Sequence, residues 1–337
     1  MKAWTLGDQT GLGSLTLSDL PTPQPNAGET LVKVNVAALN HRDLLALHGT
    51  YGPRKAENRV LLSDGIGTIE AIAGDDHGHT VGQRIIAPHF AGWIDGPFSP
   101  AIFGQDVGIS RDGWLAEYIC LPTASLVPLP NSISDEVAVT LAAAGTTVWH
   151  GLVEFAGVKA GDIVLAQGTG GVAMMTLHIA KALGAKVAIT SSSDDKLEKC
   201  RELGADFVVN YRTRPDWAAA LLEQTNGRGA DIVIDTAGLG EIEQTLAFAA
   251  PNGRIALIGG LSGALDHAPN MFGMIGKNLT LKGITSGSRT MLAKLVDTVA
   301  DHGINPLIDR TFPFAEADQA CAHLDRGGHM GKVIIQF

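Results

Sequence analysis

The stretch from Asp162 to Ala173, DIVLAQGTGGVA, carries the residue types of a phosphate-binding turn. Ile163 to Ala166 form a short apolar run that reads as a buried strand. Met174 to Leu183 continue with helical spacing up to Gly184, which is placed to end the helix. Between them Gly168, Gly170 and Ala173 fall in the pattern GxGxxA. In such a turn the first glycine bends the chain, the second lets backbone approach a pyrophosphate, and the third small residue permits close helix–strand contact. Gly171 and Val172 open the helix, whose first N–H groups receive negative charge. A glycine motif alone says little; one set between a strand and a helix points to dinucleotide binding.

The end of the following strand selects the dinucleotide. An acid there accepts the ribose hydroxyls of NAD and repels the 2′-phosphate of NADP. Here AKVAIT runs into Ser191, Ser192 and Ser193, whose hydroxyls can donate to a phosphate. Lys196 follows, either as a positive partner or as a solvent lysine on the next helix. Asp194 and Asp195 complicate the reading, but they fit a helix start, where they favour the exposed N–H groups. NADP(H) is the expected cofactor.

These motifs need a scaffold. After Gly161, strand candidates at Ile163–Ala166, Val187–Thr190, Phe207–Asn210, Ile232–Asp235 and Arg254–Ile258 alternate with helix candidates at Val172–Leu183, Lys196–Leu203, Trp217–Gln224 and Ile242–Ala249. That alternation predicts an α/β domain, a doubly wound parallel sheet covered on both faces. Leu279–Thr285 is a sixth strand candidate, Met291–His302 a helix, and Lys332–Phe337 a strand returning to the first domain. Residues 1–128 read as a barrel-like β domain punctuated by glycine and proline. Its strands are expected at Leu31–Ala38, Arg84–Pro88 and Trp114–Leu121, with a helix at Arg42–Leu47. The Ala-rich segment from Ser134 to Ala156 predicts two short helices broken near Gly145. The expected division is therefore a β domain of residues 1–128, completed by 289–337, and a nucleotide-binding domain with linking helices over 129–288.

Composition narrows the functional class. Apolar residues make up 45% and charged residues 18%, which suits a packed core rather than disorder. The net charge of -10, with no block of Lys and Arg, gives no sign of a nucleic-acid partner. Cys120, Cys200 and Cys321 lack the spacing of a zinc finger or disulfide scaffold, so a reduced, cytoplasmic protein is expected. The start MKAWTLGDQTG does not read as a secretory signal. No apolar run approaches the roughly 20 residues of a membrane helix. A small molecule is the expected partner.

The chain resembles the medium-chain dehydrogenase/reductase superfamily, and within it the zinc-independent, quinone-oxidoreductase-like branch. The resemblance spans nearly the whole sequence. It rests on ALNHRD (Ala38–Asp43), HGTYG (His48–Gly52), SDGIGTI (Ser63–Ile69), AAAGTTVWHGL (Ala142–Leu152), QGTGGVA (Gln167–Ala173), LGADFVVNY (Leu203–Tyr211), GRIALIGG (Gly253–Gly260) and GKVII (Gly331–Ile335). It implies a GroES-like β-barrel domain joined to a Rossmann domain, with the active cleft between them. In the family's NADPH-using reductases a lysine after the second strand and a tyrosine fifteen residues later grip the 2′-phosphate; Lys196 and Tyr211 match both positions and keep that separation. By the same resemblance Thr147 lies beside the nicotinamide, Gly259 belongs to a cofactor-side motif, and Gly331 and Lys332 match a terminal motif near the cofactor. Relatives pair two subunits edge to edge near Met271, Phe272 and Met274, so a homodimer is implied.

The zinc-using relatives supply a cysteine, a His-Glu pair and a further cysteine or acid. Asn40, Ser63 with Asp64, and Ala143 occupy those places here, and Asp64 alone cannot hold the metal. The relatives' proton-relay hydroxyl and histidine fall at Arg42 and Leu45. Without a Lewis acid, simple alcohol oxidation is disfavoured. Hydride transfer to a quinone or α,β-unsaturated carbonyl is easier, because hydrogen-bond donors suffice for the enolate-like charge. Asn40 is the candidate donor, with a turn role as the alternative, and Asp43 a candidate organiser. Tyr51 is a possible phenolic donor or a loop residue at the barrel rim. His41 is a titratable candidate or a pocket wall, and Arg289 a phosphate contact or a helix start. Phe90, Trp93, Phe98 and Phe103 could line an acceptor pocket or simply pack a loop. A zinc-free alcohol dehydrogenase or aldehyde reductase is the alternative enzyme, and a non-catalytic NADPH-binding protein the alternative class.

Overall fold

The computed structural model describes residues 1–337, and chain contacts divide it into two units. The first holds residues 1–146, 287–303 and 308–337, and the second residues 147–286 and 304–307.

The first unit opens with a two-stranded antiparallel pair, β1 (Lys2–Thr5) and β2 (Thr16–Asp19). Its main sheet is built around β3 (Glu29–Ala38), with helix α1 (His41–Leu47) directly after it. The strands β4 (Asp64–Ala73), β5 (Arg84–Ile86), β6 (Tyr118–Pro122) and β7 (Val127–Pro128) follow. β3 alternates buried and less buried residues and pairs antiparallel with both β4 and β6. The expected strand at Trp114–Leu121 is only half realised. Trp114 and Leu115 are instead fully buried residues whose N–H groups donate to Leu62 O and Leu61 O, and the regular strand starts at Tyr118.

The Ala-rich segment does not break at Gly145. Helix α2 (Asp135–Val139) runs on through a π-wound turn at Leu141–Gly145 into α3 (Thr146–Trp149) and a second π-wound turn at His150–Phe155. Gly145 is a packing residue: a Cβ there would meet the Leu295 side chain at 2.8 Å. The first unit also extends past residue 128. The reason is Asp135, which accepts from Asn35 Nδ2 of β3 at 3.0 Å and from Arg84 Nε of β5 at 2.8 Å, fastening α2 to that sheet.

In the second unit β8 (Ile163–Gln167), α4 (Gly171–Ala182), β9 (Lys186–Ser191), α5 (Asp194–Glu202), β10 (Phe207–Asn210), α6 (Trp217–Gln224), β11 (Ala230–Asp235), α7 (Ile242–Phe248) and β12 (Ala249–Leu257) alternate. A short helix α8 (Phe272–Gly276) and the edge strand β13 (Thr280–Gly283) complete it. The six strands are parallel in the order β10-β9-β8-β11-β12-β13. β8 is buried along its whole length, as a parallel strand covered on both faces must be. Gly184 and Gly204 follow α4 and α5 with φ of 80° and 99°, the left-handed conformation that ends a helix.

The chain then returns to the first unit through α9 (Arg289–His302), β14 (Ile308–Pro313), α10 (Ala317–Asp325) and β15 (Lys332–Gln336). β15 pairs parallel with β14 and antiparallel with β3, placing Ile334 opposite Ala38. Ala38 is also opposite Asp64 of β4. This register gathers Lys332, Asn40 and Ser63–Asp64 at one end of three adjacent strands.

Candidate active site

Asn40 is the N-cap of α1, in extended conformation, and shares a capping box with Asp43, whose Oδ2 accepts from the Asn40 backbone N–H at 2.8 Å. The Asn40 amide also has partners beyond the helix. Lys332 Nζ donates to Asn40 Oδ1 at 2.7 Å, Asn40 Nδ2 donates to Ser63 Oγ at 3.2 Å, and Ser63 Oγ donates to Asp43 Oδ1 at 3.1 Å. The hydrogens all point one way, from ammonium to carboxylate. Lys332 Nζ also donates to Leu39 O at 2.8 Å and to Asp64 Oδ2 at 3.2 Å. Asp43, Ser63, Asp64 and Lys332 are buried, whereas Asn40 is half-buried and is the accessible link of the chain.

Burial pushes the Asp43 carboxyl up to about 6, with Arg42 opposing and Asp64 reinforcing the rise. Its ordinary value is 3.8. Between those two values the folded chain holds a proton that the unfolded chain has lost, so the free energy of unfolding falls as pH climbs and levels off above about 6. Asp43→Asn lacks this slope. Melts from pH 4 to 7 should show the stability of the natural protein relative to the variant dropping by on the order of 2 kcal/mol across the range. Parallel curves would mean that Asp43 does not hold its proton.

A second polar cluster lies under α1. Arg42 Nη2 donates to Asp106 Oδ2 at 2.6 Å, His89 Nδ1 lies 3.2 Å from Asp106 Oδ1, and Arg42 and His89 are in direct contact. Burial alone would raise the Asp106 carboxyl, but His89 and Arg42 outweigh it and hold the group below its ordinary value. The Tyr51 ring stacks 4.9 Å from the Arg42 guanidinium carbon, and burial raises its phenol. Tyr51 also packs against the apolar core of the first unit. His41 opens α1 with its ring reaching solvent; desolvation by the surrounding protein draws its pKa down, and Asp325 opposes this. Phe90 and Trp93 are buried with Ile102, and the rings of Phe98 and Phe103 continue the cluster outward, about half exposed. Ser288, not Arg289, caps α9 by accepting from Met291 N–H. Arg289 donates its backbone N–H to Trp93 O and its Nε to Leu126 O, so it braces the first unit.

In the second unit the glycine turn forms at the end of β8. Gly168 has φ 78°, with open space where a side chain would stand, and Gly170 precedes α4 with no side chain capping the helix. The first N–H groups of α4, at Gly171 and Val172, therefore keep their donors for an anion. Gln167 ties the turn to the neighbouring strand, donating Nε2 to Thr245 Oγ1 at 2.8 Å and accepting from Ala237 N–H at 3.2 Å. The strand order reverses between β8 and β11, the position where such sheets open a crevice. Gly259 follows β12 beside that opening, and a Cβ there would meet Thr236 O at 2.8 Å. Ser191 is buried at the end of β9, and Tyr211 N–H donates to Ser191 O at 3.0 Å. Ser192 and Lys196 are half-buried just beyond, with Ser193 capping the Lys196 N–H. Asp194 accepts from Asn210 Nδ2 at 2.9 Å, which ties its carboxylate to the end of β10, next to Ser191. Thr147 is buried in α3. These groups fit a dinucleotide.

Lys332, expected near the cofactor, has all three of its N–H donors taken inside the first unit. The Arg42–His89–Asp106 cluster was not anticipated. Its members lie 47 and 64 residues from Arg42 in the chain, and no local spacing signals them.

A β domain and a six-stranded parallel sheet with an open glycine turn, joined in one chain, are the two parts of a two-domain dehydrogenase. Residues 26–131 match the alcohol dehydrogenase GroES-like domain, and residues 171–301 match the zinc-binding dehydrogenase domain. A zinc-type alcohol dehydrogenase-like protein of Schizosaccharomyces pombe is 36% identical over 97% of this chain and 96% of its own. An acryloyl-coenzyme A reductase of Sulfurisphaera tokodaii is 28% identical over 95% of this chain and 96% of its own. Among solved structures, an NAD-dependent alcohol dehydrogenase superposes with TM-score 0.90 at 30% identity over 100% of both chains. A mycobacterial quinone oxidoreductase superposes with TM-score 0.82 at 25% identity, again over 100% of both. The chain belongs to the medium-chain dehydrogenase/reductase superfamily. It is an oxidoreductase that uses a nicotinamide cofactor.

The zinc of the matched domain's description does not fit these residues. No three His, Cys, Asp or Glu side chains gather to hold a metal. At the matching positions an ammonium already occupies Asn40 Oδ1 and Asp64 Oδ2. Burial also pushes the Cys120 and Cys200 thiols up to about 11, away from the thiolate form a metal needs.

Proposed function

We propose that this protein is an NADPH-dependent reductase of quinones or α,β-unsaturated carbonyls that works without a catalytic zinc. One observation carries the reading: where zinc-using relatives keep their metal, this chain has the Asn40 amide held by the Lys332 ammonium. A reduced nicotinamide held by the second unit would supply hydride to the electron-poor carbon of the acceptor. The electron pair moves through the conjugated system onto the acceptor oxygen. Asn40 Nδ2 has a second N–H beyond the one given to Ser63, and this donor meets the developing charge. Tyr51 offers a phenolic donor, and His41, in contact with solvent, passes a proton inward. Asp43 holds the Asn40 backbone and Ser63. A donor of this kind stabilises an enolate or hydroquinone anion, whereas alkoxide chemistry gains more from a Lewis acid.

On the cofactor side, Gly168, Gly170, Gly171 and Val172 cradle the pyrophosphate and Gly259 leaves room beside it. Thr147 borders the nicotinamide, while Ser191, Ser192, Lys196 and Tyr211 take the 2′-phosphate. The absence of an acid at the end of β9 supports NADP over NAD. The names of the acryloyl-coenzyme A reductase and the quinone oxidoreductase favour a conjugated acceptor. Those of the alcohol dehydrogenases favour a second reading, reduction of an aldehyde. NADPH oxidation with quinones, enones and aldehydes separates them. Turnover with quinones or enones at least tenfold above that with aldehydes is expected, and aldehyde turnover without enone turnover overturns the proposal.

We also propose a homodimer through the edge of the second unit. Phe272 and Ile275 of α8, the helix that precedes the edge strand β13, are each 78% exposed. A second copy would cover both. Light scattering after size exclusion should give a dimer for the natural chain and a monomer for Phe272→Glu with Ile275→Glu. A monomeric natural chain removes this assembly.

A further inference from the structure

We infer that Lys332 is the fixed cation of this site: it sets which way the Asn40 amide faces and so makes Nδ2 the donor presented to the acceptor oxygen. The inference rests on the proposed reductase reading and adds a positioning residue to it.

The amide orientation follows from chemistry alone. An ammonium has three donors and no acceptor, so the Asn40 atom at 2.7 Å from Lys332 Nζ must be the oxygen. With Oδ1 held there, Nδ2 is turned toward Ser63 Oγ, which in turn gives its proton to Asp43. Reversing the amide would set its NH₂ against the ammonium and its oxygen against a hydroxyl already donating elsewhere. Lys332 therefore excludes the rotamer in which Asn40 would present an acceptor to a substrate that needs a donor.

The ammonium itself cannot reach the acceptor. It is buried, and Leu39 O, Asn40 Oδ1 and Asp64 Oδ2 use its three hydrogens. Its charge acts through the amide, drawing electron density toward Oδ1 and making the Nδ2 hydrogens better donors. A buried lysine needs a reason beyond pairing, because replacing a buried ion pair by neutral groups is often neutral or stabilising. Lys332 opens β15, a strand otherwise made of buried apolar residues up to Ile335. Its backbone is fixed by pairing with β14, so the side chain is delivered to one place.

The bland competitor is that Lys332 only neutralises Asp64. Lys332→Met alone would leave the Asp64 carboxylate buried and unpaired, and the chain could fail to fold. The double variant Lys332→Met with Asp64→Asn removes both charges together, and its fold is checked by circular dichroism and a thermal melt. The readouts are kcat, KM for the acceptor, and the NADPH dissociation constant from nucleotide fluorescence. A kcat about 30- to 100-fold below the natural protein is expected, with NADPH affinity within twofold. The same pair of changes added to Asn40→Leu should cost less than threefold more, since the lysine works through that amide. A double variant within threefold of the natural kcat overturns the inference, as does a full additional loss on top of Asn40→Leu. The cycle is read with whichever acceptor class the natural enzyme turns over. A protein that reduces aldehydes alone would defeat the enone and quinone reading while still deciding the role of Lys332.

Discussion

Lys196→Ala combined with Tyr211→Phe should lower kcat/KM for NADPH on the order of 100-fold and leave that for NADH within a few-fold. The expectation starts from the end of β9. Serines stand at the position where an acid would meet the ribose hydroxyls, and the nearby Asp194 carboxylate is engaged by Asn210. The parallel register sets Asn210 opposite Ser191, and Tyr211 is the next residue. Lys196 lies in the first turn of α5, which starts three residues after β9 ends. Charge-assisted hydrogen bonds contribute roughly 1.5–3 kcal/mol each, and the variant removes one such bond and a phenolic one. NADH lacks the phosphate and should be nearly indifferent. Equal losses with both cofactors would make Lys196 and Tyr211 structural residues. A natural enzyme preferring NADH would remove the NADP assignment itself.

Asn40→Leu should lower kcat by about 100- to 1,000-fold, the scale for losing one oriented donor at a developing oxyanion, with NADPH affinity unchanged. Leucine is close to asparagine in shape but has no polar atom. It removes the accessible link of the hydrogen-bonded chain and leaves Lys332 one acceptor short. The helix should survive, because the Asp43 carboxylate still accepts from the residue 40 backbone N–H. Asn40→Asp makes a sharper comparison. It retains an oxygen for Lys332 but replaces the donor by an acceptor, so activity should be lost although the Lys332 contact is kept. An Asn40→Leu enzyme with near-natural kcat would place the reacting oxygen elsewhere, with Tyr51 the next residue to examine.

The second unit was largely legible because its physics is local. Buried strands alternate with amphipathic helices, and Gly184 and Gly204 punctuate them where the helices stop. All five of its first expected strands, and the sixth at the edge, are present within a few residues. The first unit was harder. β4 carries Gly65 and Gly67 in its first half, which break the apolar alternation, and it was read as a motif rather than a strand. β1, β2 and β14 gave no strong periodic signal, and β14 exposes most of its residues. α10 does carry helical spacing, burying Ala317, Ala320, Cys321 and Leu324, but its small apolar residues make that stripe faint. Gly145 read as a breaker because a glycine looks the same whether it ends a helix or admits a neighbour. Only the Leu295 side chain distinguishes the two.

The candidate site divided in the same way. Asn40, Asp43 and Tyr51 were singled out by motif position, and the structure brings the first two into one network. The direction of Lys332 depends on β15 pairing with β3 nearly three hundred residues earlier in the chain, which no window of sequence contains. One signal was available. A lysine heading the run KVII, in a strand with no other charge, must find a buried partner or remain at the surface.

The account's central claim is that a nicotinamide-dependent hydride transfer to a conjugated acceptor proceeds here with protein donors in place of zinc. The most direct measurement is steady-state NADPH oxidation with a quinone and an enone by protein stripped of metal with a strong chelator, before and after adding zinc. Full turnover in the stripped protein, unchanged or reduced by zinc, is the predicted result. Activity lost on stripping and restored by stoichiometric zinc would contradict it.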